Sequence, residues 1–203
     1  MEDSITYKKD EHFIPSITLE SHLEQLQEIK SWLTKKGFNP SNSRIIHYIK
    51  FLELFISNDD FDPKNNEQDK ETFDEMLYVL REVHELMWIY NSFKDVYPEG
   101  SDELIKRIIG GQAFARDDKD TSARNYQFEL RIASYFIRAN YIVELQHITD
   151  VVAKKTKFKF FIECKRLSSP KKIESRIKEA AKQLELKTKK KNVIEQRFRY
   201  RGV

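Results

Sequence analysis

The glycine pair Gly110-Gly111 separates two kinds of sequence pattern, and that change of period constrains the fold more than any other feature of the chain. Before the pair, apolar residues recur every three or four positions, the spacing of amphipathic helices. After it, one more helical stretch leads into segments that alternate every second residue, the spacing of strands. The reading is a helical part over residues 1–112 and a mixed α/β part over 113–203.

In the first part, residues 1–16 read as an extended or frayed arm. A helix is expected from about Thr18 to Lys36, with Leu19, Leu23, Leu26, Ile29 and Leu33 on one stripe and Gly37 past its end. A second carries Ile45, Tyr48, Ile49, Leu52 and Phe55. A third, over roughly 70–94, carries Phe73, Met76, Leu77, Leu80, Val83, Leu86, Met87 and Tyr90. After "YPEGSDEL" a short helix stops at the glycine pair. These stripes are the faces of an α-helical bundle.

In the second part, the connector "FARDDKDTSARN" offers Asp120 or Ser122 as caps for a helix whose expected buried stripe is Phe128, Ile132, Tyr135, Phe136 and Ala139. Asn140 suits the left-handed residue at its end. "YIVELQ" reads as a strand. The stretch "TDVVAKKTKFKFFIECKRL", Thr149 to Leu167, reads as two strands joined by a lysine turn. A helix from about Lys171 to Leu186 follows, buried through Ile173, Ile177, Ala180, Ala181 and Leu184, and "VIEQRFRYR" reads as a closing strand.

With 39% hydrophobic and 12% aromatic residues the chain has material for a packed core. Five Gly and five Pro are too few for the tight turns of an all-β protein. No apolar run is long enough to cross a membrane, and the first residues are too polar for a secretory signal. The single cysteine, Cys164, excludes an internal disulfide and a cysteine-rich zinc site, so a cytoplasmic protein without a membrane partner is expected. Residues 151–203 hold 18 Lys or Arg against 5 Glu, a net +13, while residues 1–150 carry −10. A basic C-terminal quarter fits a polyanionic partner such as nucleic acid, and it also fits a solvated lysine-rich helix.

The hairpin places the chemistry. Glu163 and Lys165 share one face of their strand because side chains alternate. If the turn brings Lys154 opposite Lys157, Asp150 lies opposite Phe161 and diagonal to Glu163; a shift of one residue would send Asp150 to the other face. Two carboxylates so placed repel unless one is protonated or a cation lies between them. Hard oxygen ligands suit Mg²⁺ or Mn²⁺. Lys165 can then position a water or stabilise charge on a phosphate. Glu129, at the edge of the stripe of its helix, and Gln183, beside that of the following one, can reach the same place. The same residues also fit an ion-pair cluster on a solvated sheet face.

A helix with Glu129 in "NYQFELRIA", a hairpin with Asp150 in "ITDVVA" and Glu163-x-Lys165 in "FFIECKRL", then a helix with Gln183 in "EAAKQLE", together resemble the PD-(D/E)XK nuclease superfamily. The likeness covers roughly residues 113–190, and Thr149 stands where a Pro is common. It implies an α/β fold with a restriction-endonuclease-like αβββαβ core and a mixed central sheet, here preceded by the helical bundle. It implies a metal-dependent nuclease, acting on DNA ahead of RNA in defence, restriction or repair. Asp150, Glu163 and the Cys164 backbone carbonyl would hold Mg²⁺ or Mn²⁺, with Lys165, Glu129 and Gln183 completing the catalytic set. Arg124, Asn125, Arg166, Lys171 and Lys172 are the candidate nucleic-acid contacts, and the helical part a candidate homo-oligomer contact. The alternative is a catalytically inactive nucleic-acid-binding or protein-interaction module on the same fold.

Overall fold

The computed structural model describes residues 18–58, 61, 64, 66–119, 122–145, 149–166 and 170–189. The N-terminal arm, the capping role of Asp120 and the closing strand "VIEQRFRYR" lie outside the described residues.

Four helices make the first layer: α1 (Leu19–Lys35), α2 (Arg44–Ile56), α3 (Glu67–Phe93) and α4 (Ser101–Ile109). Thr18 starts α1 through a capping box, its hydroxyl accepting from the Ser21 N–H while the Ser21 hydroxyl accepts from the Thr18 N–H. Helix α5 (Ser122–Arg138) then leads into β1 (Ile142–Leu145), β2 (Val151–Lys155) and β3 (Phe158–Ile162), and α6 (Ile173–Lys189) follows a 3-10 turn at Pro170–Lys172. Asn140 takes the expected left-handed conformation, φ 60°. The fold is thus mixed α/β, mostly helical, with a small antiparallel sheet in the order β1-β2-β3.

Helix α5 is the shared wall. It packs on α3 and α4 on one side and on β1 and β2 on the other. One hydrophobic cluster runs from Leu26, Tyr48 and Val83 through Leu104 and Leu130 to Val143 and Val151, so the core is continuous across residues 112 and 113. The expected α5 stripe is corrected by this two-sided burial. Its buried face is Ala123, Arg124, Gln127, Leu130, Ala133, Ser134 and Ile137, whereas Phe128, Ile132 and Phe136 are half-buried and Tyr135 and Ala139 exposed. Phe136 turns to the sheet, its ring 6.0 Å from that of Phe160.

The first layer joins α5 through a buried charge cluster. Glu82 of α3, 2% exposed, accepts from Arg44 at 3.3 Å and from Arg124 at 2.7 Å, both of which are also buried. Arg124 further pairs with Asp118 at 2.6 Å and donates to the carbonyls of Gln112 and Ala113. Gln127 accepts from Arg44 and donates to Glu85 at 2.8 Å. Tyr48 donates to the Ala113 carbonyl, and burial pushes its phenol up to about 12.

Two glycines are fixed by space. Gly100, at φ +86°, lies where a Cβ would come 2.5 Å from the Leu145 carbonyl oxygen, and this approach lets the Leu145 N–H donate to Glu99 and join β1 in a parallel bridge. A Cβ on Gly111 would meet the Ala123 Cβ at 2.5 Å. The change of period at Gly110-Gly111 is therefore a tight helix-helix corner, not a gap in packing.

Two further expectations are corrected. Helix α6 is not buried through its isoleucines: Ile173 is 42% and Ile177 63% exposed, Ala181 is exposed, and Ala180 and Leu184 are half-buried. On α3, Leu77 and Phe73 face outward while Val79, Glu82 and Ile89 are inside, so the stripe is turned toward the charged cluster.

Candidate active site

The hairpin turn is Thr156-Lys157, with Lys155 opposite Phe158 and Val151 opposite Ile162. The expected turn was one residue earlier, so the pairing moves by two positions. A two-residue shift keeps every side chain on its face. Asp150 and Glu163 follow the last pair of the ladder, Val151 and Ile162, where the strand pairing ends. Thr156 takes φ 48°, a left-handed position more often given to Gly or Asn, so nothing in the sequence marked where the turn would close.

At the open end of the hairpin the chain leaves the ladder after Ile162, and short-range bonds then fix the side chains. The Cys164 N–H donates to Asp150 Oδ2 at 2.7 Å. Lys165 Nζ donates to Glu163 Oε1 at 3.0 Å, with the Glu163 side chain 2% and that of Lys165 22% exposed. Glu129 approaches from α5, half-buried. Burial, followed by the charges of Asp150, Glu129 and Glu163, pushes the Cys164 thiol up to about 12, with Lys165 opposing. The electrostatics at Cys164 thus register all three acids and the lysine together. A thiol so placed is a poor nucleophile.

Two carboxylates and a backbone carbonyl match in kind what Mg²⁺ asks of a protein, because that ion keeps several waters and needs only one or two carboxylates. Among the described residues no group of three or more His, Cys, Asp or Glu side chains draws close enough to hold a metal by itself. The donor set fits a hydrated hard cation and not zinc.

Gln183 is half-buried on α6, and its Oε1 is buried without a hydrogen-bond partner among the described residues. Of the candidate nucleic-acid contacts, Asn125, Arg166, Lys171 and Lys172 are exposed. Arg124 is corrected: it is 3% exposed and bound to Glu82 and Asp118, because the α5 N-terminus turns into the first layer. It has no surface to offer a phosphate.

One part of the site was missed in the sequence. A groove of about 340 Å³ lies beside Glu163 and Lys165, between Phe128 and Ile132 of α5 and Ile173, Arg176, Ile177 and Ala180 of α6. The α6 side of it, Ile173, Ile177 and Ala180, reads from the sequence as a buried stripe, and the spacing does not show that this stripe faces a groove.

No helix among the described residues is long and apolar enough to cross a membrane. No protein-family model matches the chain, and comparisons with curated proteins and with solved structures found no match either.

Proposed function

We propose that the chain is a divalent-metal-dependent nuclease that hydrolyses phosphodiester bonds, with DNA as its first substrate, on a restriction-endonuclease-like core. The observation that carries this reading is the tie of Asp150 to the Cys164 N–H at 2.7 Å, next to the ion pair of Lys165 with Glu163 at 3.0 Å, which gathers both acids and the lysine at the hairpin end. The element order α5-β1-β2-β3-α6 supports the same core.

Asp150, Glu163 and the Cys164 carbonyl would hold Mg²⁺ or Mn²⁺. Such an ion, when bound, lowers the pKa of water and offsets charge on a phosphate. The chain's own residues do the rest. The Cys164 N–H orients Asp150, so that carboxylate is fixed before substrate arrives. Lys165, released from Glu163 by competition for that carboxylate, presents its ammonium to the scissile phosphate or to the attacking water. Glu129 would orient water there, and the resemblance assigns Gln183 the same supporting role. Arg166, Lys171 and Lys172 supply the cationic rim that a polyanion follows.

A silent nucleic-acid-binding or protein-interaction module is the second reading, favoured by the Lys165–Glu163 ion pair, which satisfies the two groups without a metal. Incubation with single- and double-stranded DNA and RNA in Mg²⁺, Mn²⁺ or EDTA separates them. The nuclease reading expects cutting that EDTA abolishes and that Lys165→Ala lowers by about 10²–10³, the effect of removing one preorganised charge stabiliser. Wild type that binds but never cuts, whatever the metal, would leave the silent module.

A further inference from the structure

The groove beside Lys165 is apolar where a site built only for a sugar-phosphate backbone would be polar. Phe128, Ile132 and Ile162 form its floor, and Ile173, Ile177 and Ala180 its α6 wall. Ile177 stands 63% exposed on a helix otherwise dominated by charge, and Ile173 42%. Arg176 lies in the groove, paired with Glu179 at 2.7 Å, and Arg166, Lys171 and Lys172 stand exposed on the segments around it. The ligand chemistry that matches has a flat, weakly polar face attached to a chain of negative charges.

We infer that this groove takes an unstacked nucleobase next to the scissile phosphate, so that the substrate is single-stranded DNA or a strand unpaired at the cleavage point. The inference rests on the nuclease reading for the position of the phosphate, and adds the base to it. A volume of about 340 Å³ sits at the small end of the range of ligand clefts, about 300–1,000 Å³, which leaves room for one nucleoside and not for a stacked duplex. In a duplex each base face is covered by its neighbours, and only unpairing or flipping exposes it. Apolar and aromatic side chains beside a cationic groove are how single strands are held without regard to sequence.

Fluorescence anisotropy in EDTA, at fixed salt, tests this on the full chain with three labelled DNAs. These are a single strand, its duplex, and the same strand with abasic sugars through its centre, which keeps the charge and removes the bases. The single strand should bind at least about tenfold more tightly than the duplex, and abasic substitution should weaken it about five- to tenfold, as expected of a lost stacking contact. Ile177→Ser, at an exposed position, should weaken the intact strand by a similar factor and leave the abasic strand unchanged. Equal binding of intact and abasic strands overturns the base groove; if Mg²⁺-dependent cutting persists in that protein, the nuclease reading survives it. Conversely, a base-dependent preference in a protein that cuts nothing upholds the groove and removes the chemistry. No binding to any of the three in EDTA overturns the base groove and leaves the nuclease reading to the cutting assay.

Discussion

Replacing Glu82 with Leu tests whether the buried charge cluster is what fastens the first helical layer to α5. Arg44, Arg124 and Glu82 are buried and Asp118 half-buried, and their charges sum to zero, with Gln127 as a neutral bridge and exposed Arg81 3.7 Å from Glu82 at the edge. Leu resembles Glu in size, so the substitution leaves little cavity and the effect is chiefly electrostatic. It leaves a net positive charge inside, and among the described residues Arg44 retains the Gln127 oxygen as a hydrogen-bond acceptor. Breaking a buried pair from one side costs about 3–5 kcal/mol. Arg124 keeps Asp118 and two carbonyls, which favours the lower end, about 3 kcal/mol. Against a typical domain stability of about 5–15 kcal/mol this is a large fraction. Urea unfolding followed by circular dichroism reads the change as a shift in midpoint at constant slope. The double variant Glu82→Leu/Arg44→Met restores neutrality and should regain more than about 1.5 kcal/mol relative to additivity. A single-variant loss under about 1 kcal/mol, or additivity within about 0.5 kcal/mol, would refute the claim that these charges depend on one another.

Gly111→Ala should destabilise by about 1–3 kcal/mol through overpacking against Ala123, whereas Gly110→Ala, whose Cβ meets nothing closer than 3.5 Å, should be tolerated; equal melting temperatures for the pair would sink the steric account. Asp150→Asn keeps the shape but removes the charge that receives the Cys164 N–H, so it should cost about 1 kcal/mol in urea midpoint as well as metal-dependent cutting. The Cys164 thiol, raised from 9.0 to about 12, should resist iodoacetamide near pH 8 in the native protein and react once unfolded. Its linkage has a definite sign: the native state keeps the proton that the unfolded chain loses, so this contribution is intact below pH 9 and declines toward about 12. A Cys164→Ala variant with the same alkaline decline as wild type would place the effect elsewhere, for example on Tyr48.

Periodicity made the helices legible because each has a face that must leave water. Leu26, Ile29 and Leu33, or Ile45, Tyr48, Ile49 and Leu52, sit where their spacing puts them. The same rule failed at Glu82, Arg44 and Arg124, because charged residues read as solvated until a partner on another helix is known. It also turned the α5 stripe toward its aromatics, since a helix packed on both sides has no single apolar face to find. In the hairpin, alternation carried the facing of Val151–Lys155 against Phe158–Ile162, while the turn carried the register; sliding the turn by one residue changed their partners and left their faces alone. The exposure of Ile173 and Ile177 had no signature at all, because burial depends on what packs opposite.

The two-sided burial of α5 also limits how this chain can be taken apart. A cut at the glycine pair would strip Leu130 of its cover from α1, α3 and α4 and leave Arg124 without Glu82. The segment bearing Asp150, Glu163 and Lys165 is therefore not a cassette that recombination can graft onto another scaffold by itself. It travels with α3 and α4, or it exchanges only at boundaries on the far side of them.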